Sequence, residues 1–170
     1  MTIKHPEFLV ETHWLAAHLA DAGIRVLDCT AFNRSDGSGG IRAESGRDSW
    51  ESEHIPGAGH ADLVEDLSDK DAPFRYMLPP VEQFARSFSK YGVGAGTRAI
   101  LYDSTSGSWA TRIWWMLRAF GFDNASILNG GLHKWKMEGR PLDTAPSHYP
   151  AAIFLAKPQT GLFASKDEIL

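Results

Sequence analysis

The chain has 170 residues, 43% hydrophobic and 22% charged, the composition of a soluble globular protein with length for one average domain and a remainder. A formal net charge of -4 without any Lys/Arg run argues against a nucleic-acid partner, and no apolar stretch is long enough to cross a membrane. One cysteine, Cys29, excludes an internal disulfide, and with no signal-peptide core at the start it points to the cytoplasm.

Glu11 to Ala22 reads as a helix, with Thr12 as its cap and Trp14, Leu15, His18 and Leu19 on the buried side. Arg25 to Cys29 reads as a strand, with Asp28 placed to tie down the loop that follows. Thr30 to Arg47 is rich in Gly, Ser, Arg and Asp and has no apolar period, so a surface excursion or a mobile segment is expected. Asp48 to His54 suits a short helical turn, followed by Ile55 to Ala58 and a short strand through Asp62. Leu63 to Met77 is polar and turn-rich. Pro79 to Gly92 is patterned as an amphipathic helix, with proline in its first turn and glycine after its last.

The segment Arg98 to Phe120 reads as strand, polar loop and helix. Ala99 to Tyr102 is a short apolar run, as in a strand covered on both faces. Trp109, Ile113, Met116, Leu117 and Phe120 fall on one helical face, with Ser108 as the expected N-cap. The loop Asp103, Ser104, Thr105, Ser106, Gly107, Ser108 is small and polar, so its N–H groups are free to turn inward and hold an anion. A thiol at its first position would have a lowered pKa. Asp103 stands there instead. A carboxylate is stable among N–H donors but carries no sulfur, so the site reads as occupied by its own side chain, a loop anchor rather than a catalytic base.

Ala125 to Leu128 is another strand, Asn129 to Gly131 a turn, and Leu132 to Glu138 a helix closed by Gly139. The alternation of strands and helices predicts an α/β fold, a parallel sheet with helices on both faces. Pro141, Pro146 and Pro150 mark a linker over 141–152 after a domain spanning 8–140. Ile153 to Ala156 reads as a strand and Ser165 to Glu168 as a capping box, so 153–170 reads as the truncated start of a second domain.

Among single residues, Cys29 reads as a small buried hydrophobe rather than a sulfur carrier, because no compact loop and helix follow it. His54 is either a proton carrier or a backbone anchor before Ile55-Pro56, and the second suits a lone histidine better. The seven histidines have no metal-ligand spacing, and no cofactor is implied. Trp114, Trp115 and Trp135 suit a core or a face for a partner domain; the adjacent pair point about 100 degrees apart on a helix. Arg112 and Arg118 either steer an anionic substrate or pair with surface carboxylates.

Together, Val26-Leu-Asp28, His54-Ile-Pro-Gly-Ala58, Met77-Leu-Pro79, Tyr102-Asp103, Arg112-Ile-Trp-Trp-Met-Leu-Arg-Ala-Phe-Gly121 and Leu128-Asn-Gly-Gly-Leu-His-Lys-Trp135 resemble the rhodanese family. The similarity runs from about Val10 to Pro150 and is specifically to the N-terminal half of two-domain thiosulfate or 3-mercaptopyruvate sulfurtransferases. That resemblance implies sulfane-sulfur transfer to cyanide or a thiol through a persulfide on a cysteine of the second domain. It also implies that Asp103 marks a first, non-catalytic domain that helps wall a cleft, with Arg112, Tyr76 and His54 as candidate cleft residues. Partners would be the second rhodanese domain or a second copy of the chain, and the parent enzyme would take small anionic sulfur compounds. Mercaptopyruvate-type members often have histidine just before Met-Leu-Pro; Tyr76 here leaves the donor open and leans toward thiosulfate. Two other readings remain: a stand-alone binding or regulatory module, and an enzyme that uses Cys29.

Overall fold

The computed structural model describes residues 5–164. In chain order, after a single 3-10 turn at Pro6–Phe8, the elements are β1 (Leu9–Val10), α1 (Thr12–His18), β2 (Ile24–Asp28), β3 (Ala31–Ser35), β4 (Ile41–Ser45) and α2 (Arg47–Ser52). They continue with β5 (Gly59–His60), α3 (Val81–Lys90), β6 (Arg98–Tyr102), α4 (Ser108–Ala119), β7 (Ala125–Leu128) and α5 (Gly131–Met137).

Five strands form a parallel sheet in the order β1-β7-β6-β2-β5, which puts the apolar strand β6 at its centre. Alternate side chains of the central strands enter two separate cores. Leu27, Ala99 and Leu101 pack with Phe84 and Phe88 of α3 and with Ile113, Met116 and Leu117 of α4. Val26, Ile100 and Tyr102 pack on the other face with Leu15 of α1 and with Leu132 and Trp135 of α5. Burial on both faces is why β6 carries a continuous apolar run rather than an alternating one.

Four sequence expectations are corrected. The first helix ends at His18 rather than Ala22, because the Asp21 N–H bonds to the His18 carbonyl and the Ile24 N–H to that of Asp21, turning the chain into β2. Its cap position is Glu11, and the Thr12 hydroxyl bonds to Glu138 instead. Of the two expectations for Thr30 to Arg47, the surface excursion holds, but it is built as an antiparallel hairpin of β3 and β4 rather than a plain connection. Both its faces are largely solvated, so it has no apolar period to read. Asp36 closes its turn by accepting the N–H groups of Ser38 and Gly40, and Glu44 bridges Arg34 and Arg42 across the ribbon.

Ile153 to Ala156 is not a strand. The segment is a strap whose N–H groups serve carbonyls at helix C-termini, where orphan acceptors occur. Ala152 and Lys157 donate to Ser89 and Phe120, and Gln159 donates to Ala119. Phe154 is buried among Phe84, Phe88 and Phe122, while Ile153 and Leu155 face outward. The proline-rich stretch before it also lies on the domain, through backbone pairing of His54 with Asp143 and a Val26 N–H bond to the Tyr149 hydroxyl. The capping box Ser165 to Glu168 lies outside the described residues.

Candidate functional site

The loop between β6 and α4 opens at the carboxyl end of the central strand, where open α/β sheets place their ligands. Its cap residue is Gly107, at φ 84°, and Ser108 is the first helical residue rather than the N-cap. Capping comes from further back. Asp103 Oδ2 accepts the N–H groups of Trp109 and Ala110, each at 3.0 Å, the two donors that an N-cap side chain ordinarily serves. Oδ1 accepts the Thr105 N–H at 2.8 Å, the Thr105 hydroxyl at 2.9 Å and the Gly107 N–H at 3.0 Å. Five donors therefore converge on one carboxylate that is only 2% exposed.

Neighbouring strand ends hold this loop in place. Thr30, after β2, accepts the Ser104 N–H at 3.0 Å on its hydroxyl, which also meets the Ser104 hydroxyl at 3.2 Å. The Leu132 N–H bonds to the Asp103 carbonyl at 3.2 Å. Gly131 makes that approach possible, since a Cβ there would stand 2.7 Å from the same carbonyl oxygen.

Above the loop lies an open cleft of about 810 Å³, lined by Asp103, Ser106, Ser108, Thr111, Arg112, Trp115 and His133 among others. The Arg112 guanidinium donates from Nη2 to the Tyr76 carbonyl at 2.7 Å and lies 5.2 Å from the centre of the Phe163 ring. Its Nε is buried without an acceptor, and no carboxylate lies within 4.0 Å of it among the described residues. Burial lowers its pKa, which still leaves an arginine charged at neutral pH. Tyr76 is the one non-glycine residue with positive φ among the described residues, at 60°. Its hydroxyl donates to Asn33 at 2.9 Å and its ring is 5.1 Å from that of Trp109, so Tyr76 meets the cleft only through its carbonyl on Arg112 and is not part of the lining.

The other candidates separate. Arg118 pairs with Asp123 at 3.3 Å and lies over Phe8 and Trp114, so it is a surface partner of a carboxylate. His54 is fully buried away from the cleft lining; its Nδ1 is 2.6 Å from the Trp50 carbonyl and its Nε2 3.2 Å from that of Ala145. Cys29 has no exposed surface, and burial, with Asp28 and Asp103 nearby, pushes its thiol well above the usual value. Burial of this kind disfavours the thiolate, the nucleophilic form of the sulfur. Trp114 and Trp135 are core residues, whereas Trp115 is 36% exposed at the cleft and donates to the Leu162 carbonyl at 2.9 Å.

Thr30, Thr111, Gly131 and His133 escape a reading of the sequence. The available signal is Asn129-Gly-Gly131, which ends the strand beside β6 and so must meet the same edge of the sheet. Among the described residues, no three His, Cys, Asp or Glu side chains are arranged to hold a metal, and no helix is long and apolar enough to cross a membrane.

Comparison with known proteins places this geometry. A family model described as a rhodanese-like domain matches residues 11–138. The thiosulfate sulfurtransferase of Bos taurus is 36% identical over 168 residues, covering 95% of this chain and 54% of that protein. The 3-mercaptopyruvate sulfurtransferase of Homo sapiens is 34% identical over 167 residues, with the same coverage of each. The chain thus spans about half the length of these relatives. Among solved structures, SseA of Escherichia coli, described with the rhodanese fold of 3-mercaptopyruvate sulfotransferases, superposes with a TM-score of 0.82 at 31% identity. That match covers 95% of this chain and 60% of the other.

Proposed function

Because the chain belongs to the rhodanese family, we propose that it is the non-catalytic first domain of a two-domain sulfurtransferase. Residues 8–140 form that domain, 141–152 a linker that lies along it, and the strap that follows packs on it through Phe154, with the second rhodanese domain proposed to come after. The proposed reaction starts when a thiolate of that second domain attacks the outer sulfur of thiosulfate. The S–S bond breaks, sulfite leaves with the electron pair, and a persulfide remains on the cysteine. Cyanide or a thiolate then takes the outer sulfur and the cysteine thiolate returns. 3-Mercaptopyruvate is the other donor class that the relatives' names suggest; Tyr76 favours thiosulfate. The compartment proposed is the cytoplasm, which keeps a free thiol such as Cys29 reduced.

The carrying observation is Asp103, whose carboxylate accepts five donors from the loop and the first turn of α4. Those donors would otherwise stabilise a thiolate or an anionic leaving group. In this role the domain is a scaffold and one wall of a cleft. Its partner is the cysteine-bearing half.

Incubating the purified 170-residue protein with thiosulfate and cyanide is expected to give no enzyme-like thiocyanate production. Intact-mass analysis after thiosulfate is expected to find no persulfide on Cys29. Supplying a cysteine-bearing rhodanese half in the same polypeptide is expected to start turnover. Turnover by the 170-residue protein alone, or a persulfide on Cys29, overturns the proposal.

A further inference from the structure

We infer that Arg112 anchors the oxyanion head group of the donor, making this domain a contributor to substrate binding and not only a wall. The inference rests on the sulfurtransferase reading above and adds a specific residue and ligand class to it.

Asp103 and Arg112 are the fully charged side chains in the lining of the cleft, with exposed His133 at the rim. The Asp103 charge is met by five hydrogen-bond donors and is nearly inaccessible. The Arg112 charge has no carboxylate partner among the described residues, so it is the charge in the lining that keeps donors unused.

Arg118, on the same helix, makes the contrast clear. It finds Asp123, whereas Arg112 gives one bond to a neutral carbonyl and leaves Nε buried without an acceptor. A guanidinium carries five N–H donors in a flat fork, a shape suited to two oxygens of one anion. Half-buried cations ordinarily keep a counter-charge, because their lost hydration must be replaced. An anionic guest would supply it.

The group is also held ready. The Tyr76 carbonyl and the Phe163 ring fix the guanidinium from two sides. The first of these contacts falls on the residue with positive φ, a conformation that surrounding structure must hold in place. Ser106 and Ser108 line the same space; their hydroxyls bond to each other at 2.7 Å, which leaves one hydroxyl hydrogen between them for a further oxygen, while the Thr111 hydroxyl donates to the Gly107 carbonyl. Sulfonate and carboxylate heads share the needed chemistry, two or more charged oxygens on one centre.

The test is an NMR titration of the 170-residue protein that follows the arginine Nε–H signals and the amides of Ser106, Ser108 and Thr111. Sodium thiosulfate and sodium sulfate probe the sulfonate-like head, sodium pyruvate the carboxylate, and sodium chloride at matched ionic strength is the reference. Thiosulfate is expected to shift the Arg112 Nε–H saturably, with chloride giving no saturation; a response to pyruvate alone would assign the carboxylate head. Arg112→Gln is expected to weaken binding about 10-fold or more, the worth of a charge-assisted hydrogen bond. Arg112→Lys should bind at an intermediate level, keeping charge but losing the fork. Arg86→Gln, an exposed arginine on α3, should bind like the parent.

No saturable response of the Arg112 signal to any of the three anions overturns the inference, whatever the variants do. So does unchanged binding in Arg112→Gln. Either result leaves the thiocyanate test of the domain's role intact, and failure of that test leaves the titration readable.

Discussion

Two buried aspartates stand at the ends of neighbouring strands. Asp28 closes β2 and is in register with Tyr102, the last residue of β6, which Asp103 follows. Both are at most 2% exposed. Asp103 has five donors, three of them from the Gly107 cap and the first turn of α4. Asp28 receives the Thr30 N–H at 2.8 Å and lies near the Tyr102 hydroxyl, and burial pushes its pKa up. Equal burial thus comes with unequal hydrogen bonding: the local backbone turns four N–H groups toward Asp103 and one toward Asp28. The loop after β6 is built to hold a negative charge, and in this chain that capacity serves the fold.

Asp103→Ala tests that difference most severely. It strands four backbone N–H groups and uncaps α4, so a loss on the order of 3 kcal/mol is expected, about 10 °C in melting temperature for a domain of this size. A variant that melts like the parent would mean the loop does not depend on its carboxylate. Asp103→Cys places a thiol among the same donors. It is expected to stay far from enzyme-like thiocyanate production, because one cation in the wall and a shortened set of partners do not make a catalytic cleft. Brisk turnover by it would show that the side chain alone separates scaffold from catalyst.

Thr30→Val is expected to cost less, about 1 kcal/mol. It keeps the shape of Thr30 and removes the acceptor of the Ser104 N–H, the bond that ties the β2 end to the β6 loop. Urea denaturation measures the loss, and amide exchange at Ser104 should quicken with it. Asp28→Asn is expected to change stability at neutral pH by under about 1 kcal/mol, since a neutral amide suits burial and can still accept from Thr30. If Asp28→Asn proved as damaging as Asp103→Ala, donor number would not be what separates the two sites.

Much of this architecture can be read in the residues. The run Ala99 to Tyr102 and the period through Trp109, Ile113 and Leu117 place the central strand and α4 because packing on both sides of the sheet demands those patterns. The hairpin of β3 and β4 leaves no such mark, since its strands bury little on either face. Ile153 to Ala156 has a strand's composition but only Phe154 turns inward, and its backbone serves helix ends that lie far away in sequence. Ser108 looks like the cap because nothing local shows that Asp103 reaches past it. Arg112 and Arg118 are equivalent in one dimension. Asp123 and the Tyr76 carbonyl separate them only in space.

The smallest effect concerns His60, which sits beside Asp28 on the edge strand β5 and sharpens the contrast with the donor-rich loop. Among the described residues neither of its ring nitrogens finds a hydrogen-bond partner, and Nδ1 is 3.8 Å from Asp62. Trp50 stacks on it, with Arg47 nearby. Burial is the leading influence and lowers its pKa, against the pull of the Asp62 and Asp28 charges. A lowered histidine pKa means that the unfolded chain takes up its proton first as pH falls. Stability drawn from neutral His60 is therefore complete above the ordinary histidine value of about 6.5 and is lost as pH drops through the lowered value. His60→Phe keeps an aromatic ring against Trp50 and removes the titration. Urea melts above and below that value should find the parent weakening on acidification, with a shallower dependence in the variant. Equal slopes would place the acid sensitivity elsewhere. A steeper fall in the parent, together with a flat response in Asp28→Asn, would mean that the two groups titrate as one unit.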